Sequence, residues 1–185
     1  MTDEIVFYTH PMSRGRIVRW MLEEIGQPYR TELLDYGTTM KAPAYLADAF
    51  PEANLAPPLR NRLRGPYYRW LFFVAGPLEA AWTNQAIGFV VPQERERMMG
   101  YGRLENVIDV LEGAVSRAEY VVGDSFTAAD VYVGSGIGFG MQSGAIEKRP
   151  AFEQYWQRLS ARPAARRAKE IDDSLAAQQQ AQPTG

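Results

Sequence analysis

Extended sequence patterns are confined to the first 34 residues of this chain, and this restricts the folds open to it. Ile5 to Tyr8 is a short apolar and aromatic run, which predicts a buried strand. From Arg14 to Ile25 apolar residues recur at helical spacing, and Gly26 follows as a helix-ending residue. Because Tyr29 to Leu34 is extended again, the order predicts a βαβ unit with a parallel pair of strands.

Beyond Arg64 the pattern is helical throughout. Pro51 to Pro58 is a proline-rich connector, which predicts a domain boundary. The sequence therefore predicts a small α/β unit at residues 1–55, followed by an all-α helical-bundle domain at residues 65–185. The Gln- and Ala-rich tail after about residue 174 is predicted to be flexible.

Helical spacing marks several segments of this second domain. They are Tyr67–Trp82 with a kink at Gly76-Pro77, Gln93–Arg117, the stretch after Thr127, Pro150–Leu159, and a short basic turn at Ala164–Lys169. Thr127 and Asp130 have the spacing of a capping box, with Phe126 and Val131 as its hydrophobic staple. The helix that follows carries glycines that favour tight packing against neighbouring helices, namely Gly134, Gly136, Gly138 and Gly140.

Composition excludes several kinds of site. The chain has no cysteine and one histidine, His10, so disulfides, thiolate metal sites and multi-histidine zinc sites are excluded. The net charge of −2 creates no global field for nucleic acid or anionic lipid. The first residues lack a secretory signal, and no apolar run reaches the length of a membrane span. We expect a cytoplasmic protein with no metal, nucleic-acid or membrane partner.

The junction between the first strand and helix carries the most chemical information. Ser13 stands where the helix N-cap belongs, so its hydroxyl can accept a first-turn N–H. The arginines at 14, 16 and 19 crowd the positive end of the helix, where a negative charge is preferred. An anionic ligand or a thiolate would supply that charge. Alternatively, these arginines reach solvent or pair with Glu23, Glu24 or Asp35.

Three blocks of sequence resemble the cytosolic glutathione S-transferases of bacterial type. They are Phe7–Arg16 continuing into Trp20–Glu24, then Gly123–Asp130, and Pro150–Ala164, with Gly65–Trp70 in support. The resemblance implies a thioredoxin-like first domain and a helical second domain. It also implies a detoxifying transferase that uses glutathione as co-substrate, without a metal, acting on a small hydrophobic electrophile as a homodimer.

The resemblance also implies roles for particular residues. Ser13 lies where serine-type members keep the hydroxyl that favours the glutathione thiolate, so it is the expected catalytic residue. Ser13, Arg14 and Lys41 are expected to bind glutathione. Tyr8, Tyr67 and Trp70 are candidate pocket residues for the electrophile.

The sequence departs from the family pattern inside the first domain. A complete member continues from its second helix into two antiparallel strands and a third helix. That segment carries a Val-Pro pair with a cis proline, and an acidic residue followed by Ser or Thr, both of which hold glutathione. Here roughly thirty to forty residues are missing around Pro43-Ala44-Tyr45. The resemblance therefore implies a truncated thioredoxin-like unit and a weakened homodimer.

Two functions remain open at this point. The first is a glutathione transferase with Ser13 as the thiol activator. The second is a non-catalytic, transferase-like helical module that no longer binds glutathione. In the second case an exposed apolar patch near Ile17, Met21, Tyr45 and Phe50 would recruit a partner or cause self-association.

Overall fold

The computed structural model describes residues 5–33 and 43–181 of the chain. These residues form two compact units: the first unit comprises the residues up to 55 together with those from 160 onward, and the second unit comprises residues 56–159. Strands occur in the first unit, and the second is helical. The predicted fold class, a small α/β unit followed by a helical domain, is confirmed.

The first unit is built on the predicted βαβ order. Strand β1 spans Ile5–Thr9, helix α1 spans Gly15–Ile25 and strand β2 spans Tyr29–Leu33. The two strands are parallel, and their register runs from Ile5 opposite Tyr29 to Thr9 opposite Leu33. Gly26 ends α1 with a φ of 71° and donates its N–H to the Leu22 carbonyl at 3.1 Å. Glycine adopts this left-handed conformation without strain, so the chain can turn directly into β2.

The described sheet contains these two strands and no third within residues 5–33 and 43–181. Helix α2 follows at Pro43–Ala49, and a 3-10 turn spans Pro51–Ala53. Lys41, a predicted glutathione contact, lies outside the described residues. The side chain of Tyr45, part of the predicted apolar patch, lies outside them as well.

The last helix, α8 at Pro163–Ala181, corrects two predictions. The sequence predicts only a short basic turn at residues 164–169 and places it in the second domain, whereas α8 is 19 residues long and packs along α1 in the first unit. The flexibility of the tail after residue 174 stays a prediction. Its buried face consists of small residues and one aspartate at every fourth position, Ala164, Ala168, Asp172 and Ala176. Small side chains allow the two helices to approach closely, and α8 therefore covers α1. Met21 is fully buried, so the prediction that it belongs to an exposed apolar patch is wrong.

The second unit begins with a helix that is interrupted at the predicted place. Helix α3 spans Arg64–Phe73, a π-helical turn spans Val74–Leu78, and helix α4 spans Glu79–Ala86. Pro77 lies inside the wide turn, because its missing N–H cannot join an α-helical ladder. The position predicted for a kink, Gly76-Pro77, is therefore where the helix changes type.

The segment predicted as one helix from Gln93 to Arg117 is divided in two. Gln93–Met98 is a 3-10 turn, and helix α5 begins only at Leu104 and ends at Val115. Gly102, with a φ of 69°, lies in the break. Met98 is 81% exposed, so it does not share the buried face of α5 with Ile108 and Leu111.

Helices α6, at Ala128–Ser143, and α7, at Pro150–Ser160, complete the second unit. The capping box is confirmed, because Thr127 Oγ1 accepts the Ala129 N–H at 3.3 Å and Asp130 Oδ2 accepts the Thr127 N–H at 2.8 Å. The glycines of α6 are buried against neighbours, as predicted. A Cβ at Gly138 would lie 2.8 Å from three ring atoms of Trp156.

Gly138→Ala is expected to destabilise the protein by about 1–3 kcal/mol, because the indole of Trp156 must move to admit the methyl group. Gly113→Ala, in α5, is the matched control, since the nearest atom to its Cβ is the Arg117 guanidinium at 3.9 Å. That change is expected to stabilise by about 0.5–1 kcal/mol through helix propensity. Urea unfolding of both variants measures the difference. Equal effects would contradict the close packing of α6.

Candidate functional site

Ser13 lies in the tight loop between β1 and α1, at the amino end of the helix. Its hydroxyl donates to the His10 carbonyl oxygen at 2.6 Å and accepts the N–H of Gly15 at 3.0 Å. The residue directly before α1 is Arg14, whose side chain makes no cap hydrogen bond. Ser13 therefore satisfies a first-turn N–H from one position further out than the N-cap predicted from the sequence.

Close contact between strand and helix fixes the position of this loop. A Cβ at Gly15 would lie 1.9 Å from Thr9 Oγ1, so only glycine allows the start of α1 to approach the end of β1 this closely. Thr9 is fully buried. The Ser13 hydroxyl is thus held at the carboxyl end of β1, where the partial positive charge of the helix terminus favours a negative group.

Backbone and side-chain bonds close the loop around Ser13. The Ser13 N–H donates to the His10 carbonyl at 3.0 Å, and the Met12 N–H donates to His10 Nδ1 at 3.1 Å. Arg16, in the first turn of α1, donates from Nε to the Pro11 carbonyl at 2.6 Å. The loop is thereby bonded both to itself and to the helix that follows.

Two arginines of α1 pair with aspartates of α8, which is not apparent from the sequence. Arg16 Nη1 lies 2.7 Å from Asp173 Oδ1. Arg19 Nε lies 2.6 Å from Asp172 Oδ1, and each side chain of this second pair is 1% exposed. Arg16 and Arg19 therefore pair with aspartates of α8 and not with Glu23 or Glu24. Asp35, the other predicted partner, lies outside the described residues.

The glutamates of α1 pair with arginines at the start of α8. Glu24 receives two hydrogen bonds of 2.7 Å from Arg162, and Glu23 lies 3.0 Å from Arg167 Nε. Both segments run from basic to acidic residues in chain order, and because they lie antiparallel, opposite charges face each other along their length. We call this set of four ion pairs the α1–α8 charge ladder; it joins Arg16–Asp173, Arg19–Asp172, Glu23–Arg167 and Glu24–Arg162.

Arg19 also links the α1–α8 charge ladder to β2 through hydrogen bonds. Its Nη1 donates to Tyr29 Oη and Thr31 Oγ1, each at 3.1 Å, and its guanidinium lies 4.9 Å from the centre of the Phe7 ring. Tyr29 in turn donates to Glu23 Oε1 at 2.6 Å. Burial, followed by the acceptor Glu23, raises the pKa of Tyr29 to about 12. The Tyr29 hydroxyl therefore stays protonated at physiological pH and remains a hydrogen-bond donor.

A surface groove of about 570 Å³ lies beside this cluster, near the carboxyl end of α1. Arg19 and Arg167 line it together with Glu23 and Tyr29. Both arginines are already paired, and the carbonyl end of a helix disfavours anions. The positive charges at the groove are therefore already neutralised by carboxylates of the protein.

The three candidate pocket residues lie in different surroundings. Tyr8, in β1 of the first unit, is 55% exposed. Tyr67 and Trp70, in α3 of the second unit, are 0% and 7% exposed and belong to the core of that unit. Their role as an electrophile pocket stays a prediction, as do the roles of Arg14 and Lys41.

No group of three or more His, Asp or Glu side chains in residues 5–33 and 43–181 is arranged to hold a metal ion. None of the helices in those ranges is long and apolar enough to cross a membrane.

Comparison with known proteins gives one family match and many similar folds. The family model described as "Glutathione S-transferase, C-terminal domain" matches residues 70–163. BphK, a bacterial GST, is 18% identical with a TM-score of 0.73, covering 91% of this chain and 100% of that chain. URE2P6 of Phanerochaete chrysosporium, solved with oxidized glutathione, is 21% identical with a TM-score of 0.74, covering 94% and 98%. A sphingomonad glutathione S-transferase complexed with glutathione is 19% identical with a TM-score of 0.71, covering 91% and 99%.

Proposed function

This chain belongs to the glutathione S-transferase family, and from that premise we propose that it binds glutathione and activates its thiol for attack on a small hydrophobic electrophile. The observation that carries the proposal is the placement of the Ser13 hydroxyl at the amino end of α1, bonded to the Gly15 N–H. A hydroxyl donor at a helix N-terminus is the environment that favours a thiolate over a thiol.

The chemistry follows from the two bonds of Ser13. The Gly15 N–H withdraws electron density from Oγ and makes the hydroxyl a better donor. Its hydrogen is directed at the His10 carbonyl, a neutral acceptor. When a thiolate arrives, the hydroxyl turns to the sulfur, because a hydrogen bond to a charged acceptor is about twice as strong. The His10 carbonyl keeps the Ser13 N–H as a donor.

The reaction then runs in two steps. The thiol loses its proton to solvent, with the Ser13 hydroxyl stabilising the sulfur anion. The sulfur forms a bond to an electrophilic carbon of the second substrate, and the leaving group departs with the bonding electrons. Arg14 and Lys41 are proposed to meet the carboxylates of glutathione, and Tyr8, Tyr67 and Trp70 to contact the electrophile.

Ser13→Ala is expected to lower kcat/KM for chlorodinitrobenzene conjugation about 10- to 100-fold, the value of one hydrogen bond to a charged group. The ultraviolet absorbance of the thiolate, titrated against pH, is expected to show a raised pKa for bound glutathione. Ser13→Thr keeps a hydroxyl and is expected to retain part of the activity.

Ser116→Ala is the matched control, because the Ser116 hydroxyl also donates to a backbone carbonyl, that of Glu112 at 2.7 Å, but lies in the second unit. It is expected to leave kcat/KM within about 2-fold of the parent. An unchanged thiolate pKa in Ser13→Ala would refute the role proposed for Ser13.

A specific observation favours a second function, that of a transferase-like binding module without glutathione chemistry. The described sheet has two strands, and no cis peptide bond occurs within residues 5–33 and 43–181. Calorimetric titration of glutathione into the full chain separates the two functions. Saturable binding supports the transferase, whereas no heat at millimolar glutathione supports the module.

The family further suggests a cytoplasmic homodimer, weakened by the short first domain. Sedimentation equilibrium over a range of chain concentrations measures this. A monomer at every concentration would contradict the proposed dimer without bearing on the thiol chemistry.

A further inference from the structure

Arg16 connects the Ser13 loop to the last helix of the chain. Its Nε donates to the Pro11 carbonyl at 2.6 Å, and its Nη1 donates to Asp173 Oδ1 at 2.7 Å. Pro11 lies two residues before Ser13, whereas Asp173 lies 157 residues after Arg16. One side chain thus bonds the loop that presents the hydroxyl and the helix α8 that closes the first unit.

We infer that Arg16, oriented by Asp173, is a positioning residue that holds the loop of residues 10–13 so that the Ser13 hydroxyl faces the glutathione sulfur. This inference rests on the proposed function, since it assigns α8 a role in the same site. It concerns the placement of Ser13 rather than any contact with substrate. Asp173 therefore affects the reaction only through Arg16.

The geometry of the guanidinium makes this coupling direct. Its donors lie in one rigid plane, so a carboxylate that fixes Nη1 also fixes the direction of the Nε–H toward the Pro11 carbonyl. Asp173 is itself held, because its other oxygen, Oδ2, is paired with Lys169 one helical turn earlier. Lys169, followed by Arg16, lowers the pKa of Asp173, so the carboxylate is charged at neutral pH.

The neighbouring ion pair between α1 and α8, Arg19–Asp172, makes different contacts from the Arg16–Asp173 pair. Arg19 and Asp172 are buried, and Arg19 extends to Tyr29 and Thr31 of β2. Arg16 and Asp173 are 38% and 42% exposed and extend to the loop. An exposed ion pair contributes little to stability, so its loss leaves the fold intact and reveals the effect on the loop.

Nuclear magnetic resonance of His10 tests the positioning without glutathione. His10 is the only histidine of the chain, so a single set of imidazole signals reports on the loop. Asp173→Asn is expected to shift these signals, and Arg16→Lys, which keeps the charge but loses the planar fork, is expected to shift them as well. Glu170→Gln, a change of the same kind at an exposed position of α8, is the matched control. Unchanged His10 signals in both variants would overturn the inference.

Kinetics test the consequence for the thiol. Asp173→Asn is expected to lower kcat about 3- to 10-fold and raise the pKa of bound glutathione, with KM for glutathione nearly unchanged. In a Ser13→Ala background the same change is expected to have no further effect on the thiolate pKa. A full additional effect there would contradict action through Ser13.

The failures of the two proposals are distinguishable. If the parent chain does not bind glutathione, the proposed function fails, and the His10 signals still decide whether Arg16 and Asp173 hold the loop. If the parent binds glutathione and Asp173→Asn matches Glu170→Gln in every measurement, the positioning role fails and the proposed function stands.

Discussion

Replacing Asp130 with alanine is expected to reduce the free energy of unfolding by about 3–5 kcal/mol. Asp130 is fully buried, and its two oxygens accept four hydrogen bonds. Oδ1 receives the Val121 N–H and the Tyr155 hydroxyl, each at 2.8 Å, and Oδ2 receives the N–H and hydroxyl of Thr127 at 2.8 and 3.1 Å. Alanine leaves these donors buried without an acceptor. Urea unfolding at pH 7 measures the cost.

Asp124→Ala is the matched control for this prediction. Asp124 lies six residues earlier and is exposed, so its loss is expected to change stability by less than about 0.5 kcal/mol. Asp130→Asn is expected to lie in between, because an amide can replace one acceptor oxygen but directs N–H groups at donors on its other side. Similar stabilities for Asp130→Ala and Asp124→Ala would contradict the role of the capping network.

The pH dependence of this group has a definite sign. Burial raises the pKa of Asp130 above its ordinary value of 3.8, against the opposing hydrogen bonds, of which that from the Val121 N–H is the largest. A raised pKa in the folded state means that the associated stability is present below 3.8 and is lost as pH rises through the folded value. The cost of Asp130→Ala is therefore expected to be at least as large at pH 5 as at pH 7.

Replacing Arg19 with methionine is expected to cost about 3–5 kcal/mol, because it leaves the Asp172 carboxylate buried without its counter-ion. The same change removes the donors to Tyr29 and Thr31, so β2 loses its attachment to α8. Thermal and urea unfolding measure the loss. Arg30→Met is the control, since Arg30 pairs with Glu32 on the surface of β2, where ion pairs contribute about 0–1 kcal/mol.

The double change Arg19→Met with Asp172→Leu is expected to recover most of that stability. Arg19 Nη2 and Asp172 Oδ2 are buried without hydrogen-bond partners in the described part of the chain, so the ion pair only partly offsets its desolvation. Two apolar side chains of similar volume avoid that cost. If the double variant were less stable than Arg19→Met alone, the two residues would not act as a pair.

Local patterns predicted most of the elements of this fold. The βαβ order and the capping box of α6 each depend on residues within a few positions of one another, and each is confirmed. The predicted kink site at Pro77 coincides with a change of helix type. Helix α8 was missed because its outer face is rich in charge and glutamine and its buried face consists mainly of alanine. The four-residue spacing from Ala164 to Ala176 was the available signal.

In the candidate site, too, contacts between residues close in sequence were predictable and contacts between distant residues were not. Ser13 was found because it directly follows a strand and precedes a helix, and its bonds to His10 and Gly15 span two or three residues. The partners of Arg16 and Arg19 lie 157 and 153 residues away, where no spacing in a single sequence can point to them. Long-range pairs of this kind become visible only once the helices are packed.

The separation of β1, α1 and β2 from α8 along the chain has a consequence for how the protein is made. During synthesis the first strands leave the ribosome early, but the helix that completes their unit emerges only after residues 56–159. The inserted helical unit precedes α8 along the chain, so it can fold before the first unit is complete, whereas the first unit cannot be completed until α8 has been made. A variant that ends at residue 159 is therefore expected to contain a protease-resistant second unit and a protease-sensitive first one.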